Sequence, residues 1–261
     1  MAVEKKAAAS GAANKKTVLV TGAAGALAKR VIARLHGRYN VVAVDFRRKV
    51  ETDAGIPSYK VEMEKRGFED IFLNHKIDAV LHIGRIFAHE SSRDRRYNAN
   101  VLGAKKLFEL CKKYGVGQVL IHSTYYVYGA SAYNPALLDE SHPLKASEVT
   151  MDLVDSVELE SLANIYLWKH PELHITILRP CNVLGPGVRN SMSLLLSHTF
   201  TPVLLGFSPM MQFLHVDDMA DALVLAFEQN KPGIYNVAPE DWVAFQAVSY
   251  THLTLPTKRI V

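Results

Sequence analysis

The chain has 261 residues, 49% hydrophobic and 21% charged, a length and balance that fit one large α/β domain or slightly more and exclude a disordered or fibrous protein. Its formal net charge of +4 resides at the ends, in Lys5, Lys6, Lys15 and Lys16 against Glu4, and in Lys258 and Arg259. The body between is close to neutral, so no nucleic-acid or anionic-membrane surface is expected.

Both ends are set aside before the fold is read. Residues 1–16 are mostly Ala, Lys, Gly and Ser and are expected to form a disordered tail. From Val248 the chain reads VSYTHLTLPT, which in one codon choice translates a transposon adapter used in sequencing libraries. Residues 247–261 are therefore expected to be a read-through tail, with the natural chain diverging near Gln246 or Ala247.

Thr17–Thr21 (TVLVT) is a β-rich run followed by Gly-Ala-Ala-Gly-Ala-Leu-Ala, after which Leu27, Val31 and Leu35 repeat at helical spacing up to Gly37. Val41–Val44, Ala79–Ile83, Gln118–Ser123 and His174–Leu178 read as further buried strands. A helix is predicted over Asn100–Tyr114, with Leu102, Leu107, Leu110 and Cys111 on its apolar face, and another from about Leu153 to His170. Apolar strands separated by amphipathic helices predict a doubly wound parallel sheet, residues 17–180. Residues 181–246 are broken by Pro and Gly before a strand at Phe213–Val216 and a helix at Asp217–Glu228. This part is expected to form a small, interleaved and incomplete substrate-binding region above the carboxyl ends of the strands.

The glycine turn carries the first chemical signal. Gly22, Gly25 and Ala28 stand between a strand and a helix start. Small residues there let backbone amides, including those near Ala24, Ala26 and Leu27, approach a diphosphate at the positive end of the helix dipole. Asp45 ends the next strand, where a carboxylate can accept both hydroxyls of an adenosine ribose. It would repel a 2′-phosphate, which favours NAD over NADP, although Arg47 and Arg48 could pair with that phosphate.

From these residues onward the chain resembles the extended short-chain dehydrogenase/reductases, the NAD-dependent epimerase/dehydratase group. The shared motifs are Leu81-His82-Ile83-Gly84, Asn100-Val101-Leu102-Gly103, His122-Ser123-Thr124 with Val127-Tyr128-Gly129, Leu178-Arg179-Pro180 with Asn182 and Gly185-Pro186-Gly187, Phe213-Leu214-His215-Val216-Asp217-Asp218, and Tyr235-Asn236-Val237. The resemblance covers Lys16 to about Gln246. It implies a Rossmann fold, NAD as cofactor, a small hydroxyl or carbonyl substrate such as a nucleotide sugar, and no metal. It places Thr124 at the catalytic Ser/Thr position, Ile83, Gly84, Asn100, Pro180 and Asn182 beside the cofactor, and Glu62 near the adenine. A homodimer built on two helices is common in the family. The exposed faces of Asn100–Tyr114 and Leu153–His170 do not decide it.

The same resemblance implies a catalytic Tyr with a Lys four residues later. In the matching helix the Tyr position is Asp152 and the Lys position is Ser156. No Tyr-x-x-x-Lys occurs elsewhere, and Tyr166 to Lys169 is one residue short. Three readings follow: an NAD(P)-dependent oxidoreductase of epimerase/dehydratase type using Thr124 with Tyr125, Tyr126 or Asp152; a non-catalytic NAD(P)-binding sensor; or a structural relative without cofactor. Retention of Gly22, Gly25, Ala28 and Asp45 speaks against the last. His82 and His122, each inside an apolar strand, read as core residues. Cys111 and Cys181 show no paired spacing, so a reducing cytoplasm is expected. No apolar run approaches membrane-helix length and the start lacks a signal-peptide block, so a soluble chain is expected.

Overall fold

In a computed structural model, residues 15–50, 55–87, 91–198 and 206–248 are described. The expectations for residues 1–14 and for 249–261 lie outside them.

The strands form where the sequence predicts buried apolar runs. β1 (Thr17–Thr21), β2 (Asn40–Asp45), β3 (Ser58–Lys60), β4 (Ala79–His82), β5 (Gln118–His122), β6 (His174–Pro180) and β10 (Gly233–Val237) make one sheet in the order β10-β6-β5-β4-β1-β2-β3, every pair parallel. Their near-continuous burial reflects helices on both faces, since each parallel crossover must cover a face.

One face is covered by α1 (Ala26–Leu35) and α8 (Val216–Gln229). Val31, Ile32 and Leu35 pack with Met219, Leu223 and Phe227 over Val18, Val20 and Leu81. On the other face lie α2 (Glu69–Asn74), α4 (Gly103–Lys113) and α6 (Val154–Lys169), where Phe68, Phe72, Leu107, Phe108, Leu159 and Ala163 cover Leu19, Val80 and Ile121. The chain runs from β1 outward to β3, then returns to β4 on the other side of β1. The carboxyl ends of β1 and β4 therefore form the point where the strand order reverses, which is where open α/β sheets have a crevice.

Three local features differ from the sequence-based expectation. The helix predicted over Asn100–Tyr114 begins earlier, as α3 (Arg93–Tyr97), and passes through a π-helical turn at Asn98–Leu102 into α4. That turn carries an extra residue, which rotates Leu102 outward, so it is exposed rather than on the apolar face. The strand predicted at Phe213–Val216 ends at His215, because the His215 imidazole accepts from the Asp217 N–H and starts α8 at Val216. The late region also contains more structure than its Pro and Gly content suggests. β7 (Asn182–Leu184) pairs in parallel with β9 (Phe213–His215), β8 (Met210–Met211) pairs antiparallel with β11 (Val243–Ala244), and α7 (Ser191–Ser197) starts with a reciprocal Asn190–Ser193 cap. Met192, Leu196 and Phe245 give this region a small core of its own. The short α5 (Ala146–Val149) precedes α6.

Candidate active site

The crevice begins where two glycine backbones touch. Gly22 has φ of 68°, and a Cβ built on it would lie 2.2 Å from Gly84 Cα, so only glycine fits at this close approach of the β1 and β4 loops. Gly25 then starts α1 with no side-chain cap, and no acidic residue occupies the first turn. The amides at this ten-residue helix's amino end are left to an external partner, and the dipole favours an anionic one. Gly187 comes down over the same turn, its notional Cβ 3.3 Å from Ala26.

Asp45, buried at the end of β2, is drawn toward the glycine turn. Its Oδ2 accepts from the Ala24 N–H at 3.1 Å and its Oδ1 from the Arg47 N–H at 2.8 Å. A cleft lined by Gly22, Asp45, Glu62, Gly84, Arg85 and Asn100 runs from this point along the strand ends. Glu62 lies in it but is engaged by Arg95 at 3.5 Å and Lys65 at 3.9 Å. Leu27 and Ile83 pack against the apolar layer under the turn.

The second cluster lies around α6. Asn100 in the π turn bonds both the N–H and the carbonyl of Ile86, each at 2.9 Å, and donates to Asp155 at 2.5 Å. Arg96 lies 3.7 Å from Asp155 and 3.4 Å from Asp152. Ser156 accepts from the Arg85 guanidinium. Burial pulls the Arg85 guanidinium below its ordinary pKa, and the Asp155 charge works against that fall. Below, Arg179 forks onto Glu160 with Nη2 at 2.7 Å and Nε at 2.9 Å, and the Ser123 hydroxyl donates to the same carboxylate.

Thr124 follows β5, its Oγ1 accepting from the Tyr126 N–H at 3.3 Å. The Tyr125 and Tyr126 hydroxyls both donate to Asn182 Oδ1, at 3.1 and 2.9 Å, while Asn182 donates to the Gln212 carbonyl. Burial raises the pKa of both phenols, Tyr125 the more strongly. Neither is tuned toward neutral pH in this state. Asp152 has 69% of its side chain exposed and is held by Arg96. His82 bonds the Thr21 hydroxyl at 2.8 Å, and burial pulls it and His122 down to about 4, so both are neutral imidazoles. Pro180 closes β6 two residues before Asn182, which opens β7.

The structure thus brings Gly22, Ala24, Gly25, Asp45 and Gly84 together at one end of the crevice. Asn100, Asp152 and Ser156 share a polar cluster at the other, and Thr124, Pro180 and Asn182 stand at the neighbouring strand ends. The sequence reading passed over Arg85, Arg96, Asp155 and Glu160. Their signal was an arginine directly after Gly84 and acids on a helix whose partners are only visible in three dimensions.

A seven-stranded parallel sheet wound on both faces, with its crevice at the reversal point, defines a Rossmann-type fold. The chain belongs to the NAD dependent epimerase/dehydratase family, whose model matches residues 18–238. It is 28% identical over 240 residues to an uncharacterised protein of Mycobacterium tuberculosis, covering 86% of this chain and 62% of that one. It is thus similar to, and spans about three-fifths of, that curated relative. It is also similar to the human dTDP-D-glucose 4,6-dehydratase, 26% identical over 248 residues, covering 85% of this chain and 69% of that one. Among solved structures it resembles MoeE5 in complex with UDP-glucose and NAD, with a TM-score of 0.76, 25% identity, and coverage of 90% of this chain and 80% of the other.

Proposed function

We propose that the chain binds NAD across the amino end of α1 and acts as an epimerase/dehydratase-type oxidoreductase on a hydroxyl or carbonyl substrate of the nucleotide-sugar class. The observation that carries this reading is the placement of Asp45: a buried carboxylate tied to the glycine turn by the Ala24 N–H, one strand from Gly22. The cradle fits a dinucleotide. A side chain at Gly22 would collide with Gly84, and the amides at the start of α1 have no side-chain cap. When bound, a nicotinamide supplies hydride acceptance and return.

The residues of the chain then divide as follows. Asp45 accepts from the adenosine ribose, and the α1 amides face the diphosphate. Glu62 borders the adenine end, Asn182 and Pro180 border the nicotinamide, and Thr124 hydrogen-bonds the substrate oxygen. Proton transfer falls to Tyr125 or Tyr126, whose shared bond to Asn182 would have to be exchanged for one to substrate. The family names of the relatives, a dehydratase and a protein holding UDP-glucose with NAD, support the substrate class.

A non-catalytic NAD-binding module is the second reading. It is favoured by one observation: Asp152 and Ser156, at the Tyr and Lys positions of the resemblance, are engaged by Arg96 and Arg85. Titration of the chain with NADH, followed by nicotinamide fluorescence, tests both. Saturable enhancement supports cofactor binding, and no change up to millimolar NADH overturns both readings. Nucleotide-sugar turnover by the NAD-loaded chain then separates them.

A further inference from the structure

Arg85 stands part-buried in the cleft that Gly22 and Asp45 also line, and its backbone is fixed from both sides. Gly84 before it is pressed against Gly22. Ile86 after it is held through both its N–H and its carbonyl by the Asn100 side chain, each at 2.9 Å. Asn100 also donates to Asp155, so the π turn that carries it ties this loop to α6. The arginine side chain is tied less completely. Its Nη2 donates to the Ser156 hydroxyl and its guanidinium lies 5.6 Å from the centre of the Phe87 ring, but among the described residues its Nε is enclosed without a partner. What it lacks is acceptors rather than counter-charge, because Asp155 and Glu160 both favour its charged form, with Arg96 opposing them. An enclosed donor left unmatched is costly, and the planar fork of a guanidinium is suited to two neighbouring oxygens.

The course of the side chain says which oxygens. It starts beside the Gly22–Gly84 contact, reaches Ser156 in the first turn of α6, and its charge is felt at His122, two residues before Thr124. A dinucleotide with its diphosphate on the amino end of α1 and its adenosine ribose at Asp45 carries its second ribose past this guanidinium on the way to Thr124. We propose that Arg85 is a cofactor-binding residue of the nicotinamide half, its guanidinium donating to the hydroxyls of that second ribose. Ser156 is the position at which the resemblance places a lysine, so the chain presents a cation to this part of the cleft from the loop after β4 rather than from α6. With residues 84 and 86 both held, little ordering of that loop is left to binding. The inference rests on the NAD reading above and assigns a residue to which that reading gives no role.

Calorimetric titration of the full chain with NADH, ADP-ribose and ADP tests this, since ADP-ribose keeps the second ribose and ADP lacks it. The parent chain should bind NADH and ADP-ribose about tenfold or more tightly than ADP, the scale of one hydrogen bond to a charged group. Arg85→Met should lose about tenfold for NADH and ADP-ribose and nothing for ADP, and Arg85→Lys should lose less. Thermal melting shows whether the variants are folded, and the parent's own preference is read whatever they do. A folded Met variant with the parent's affinity for all three ligands overturns the proposal, as does a parent that holds ADP-ribose no better than ADP. Equal weakening of ADP in the Met variant also overturns it, because the guanidinium would then sit on the diphosphate. A parent that binds none of the three defeats the NAD reading itself, and the proposal with it.

Discussion

Asp45 has both carboxylate oxygens occupied by backbone amides, of Ala24 and Arg47, so its side chain is aimed before any ligand arrives. A pre-set acceptor gains affinity because little ordering remains to be done on binding. Asp45→Ala should weaken NAD by about 1 to 3 kcal/mol, the scale of leaving polar partners unmatched. Calorimetry on both chains measures it, and equal affinities would remove Asp45 from the ribose. Asp45 was legible in the sequence because an acid closing the second strand after a glycine turn has a local signature. Arg85 was not. An arginine after a strand is usually a solvated side chain, and the hydrogen bond that Arg85 gives to Ser156, far along the chain, is visible only in three dimensions.

At the scale of the element, α6 owes its position to charge as much as to apolar burial. Leu159 and Ala163 contact the core, but Asp155, Ser156 and Glu160 are equally buried on the same helix. Glu160→Gln leaves Arg179 buried beside a neutral partner and should cost about 3 to 5 kcal/mol of stability. Urea unfolding measures this, and a loss below about 1 kcal/mol would mean that Tyr128 and the Glu140 carbonyl suffice for Arg179. The span of α6 was readable from its sequence almost to the residue, yet not the direction of its charges, because acids on a helix ordinarily mark the wet face. The π turn before α4 was hidden for a related reason. Its extra residue obeys no repeat in the sequence, and the turn is held by two hydrogen bonds between the Asn100 side chain and the Ile86 backbone.

The whole molecule should respond to acid through its central strands. His82 and His122 are held at about 4, whereas an unfolded imidazole takes up its proton near 6.5. Between those values the unfolded chain binds more protons than the folded one. Stability is therefore flat above about pH 7 and declines on acidification toward pH 4, by up to about 3 kcal/mol per histidine. Urea midpoints at pH 7.5, 6.0 and 5.0 should fall in that order, and a constant midpoint would show that the imidazoles protonate without unfolding. The doubly wound architecture was legible from the strand runs and the glycine turn. The late region was not, since its two-to-three-residue strands are too short for any periodicity and are defined by partners such as Asn182–Leu184 against Phe213–His215.

The pairing of α1 with α8 has a consequence for biosynthesis. α1 is made near the start of the chain, but its apolar side is covered by Met219, Leu223 and Phe227, and Arg30 and Arg34 find their acids at Asp217 and Asp221. A ribosome must therefore deliver most of the polypeptide before the side of α1 that faces α8 is covered, although its other side already rests on β1 and β2, and β6 stays an open edge until Gly233–Val237 emerge. Nascent chains halted before residue 216 carry a bare greasy ridge and an unpaired strand, the two features that recruit chaperones and seed aggregates.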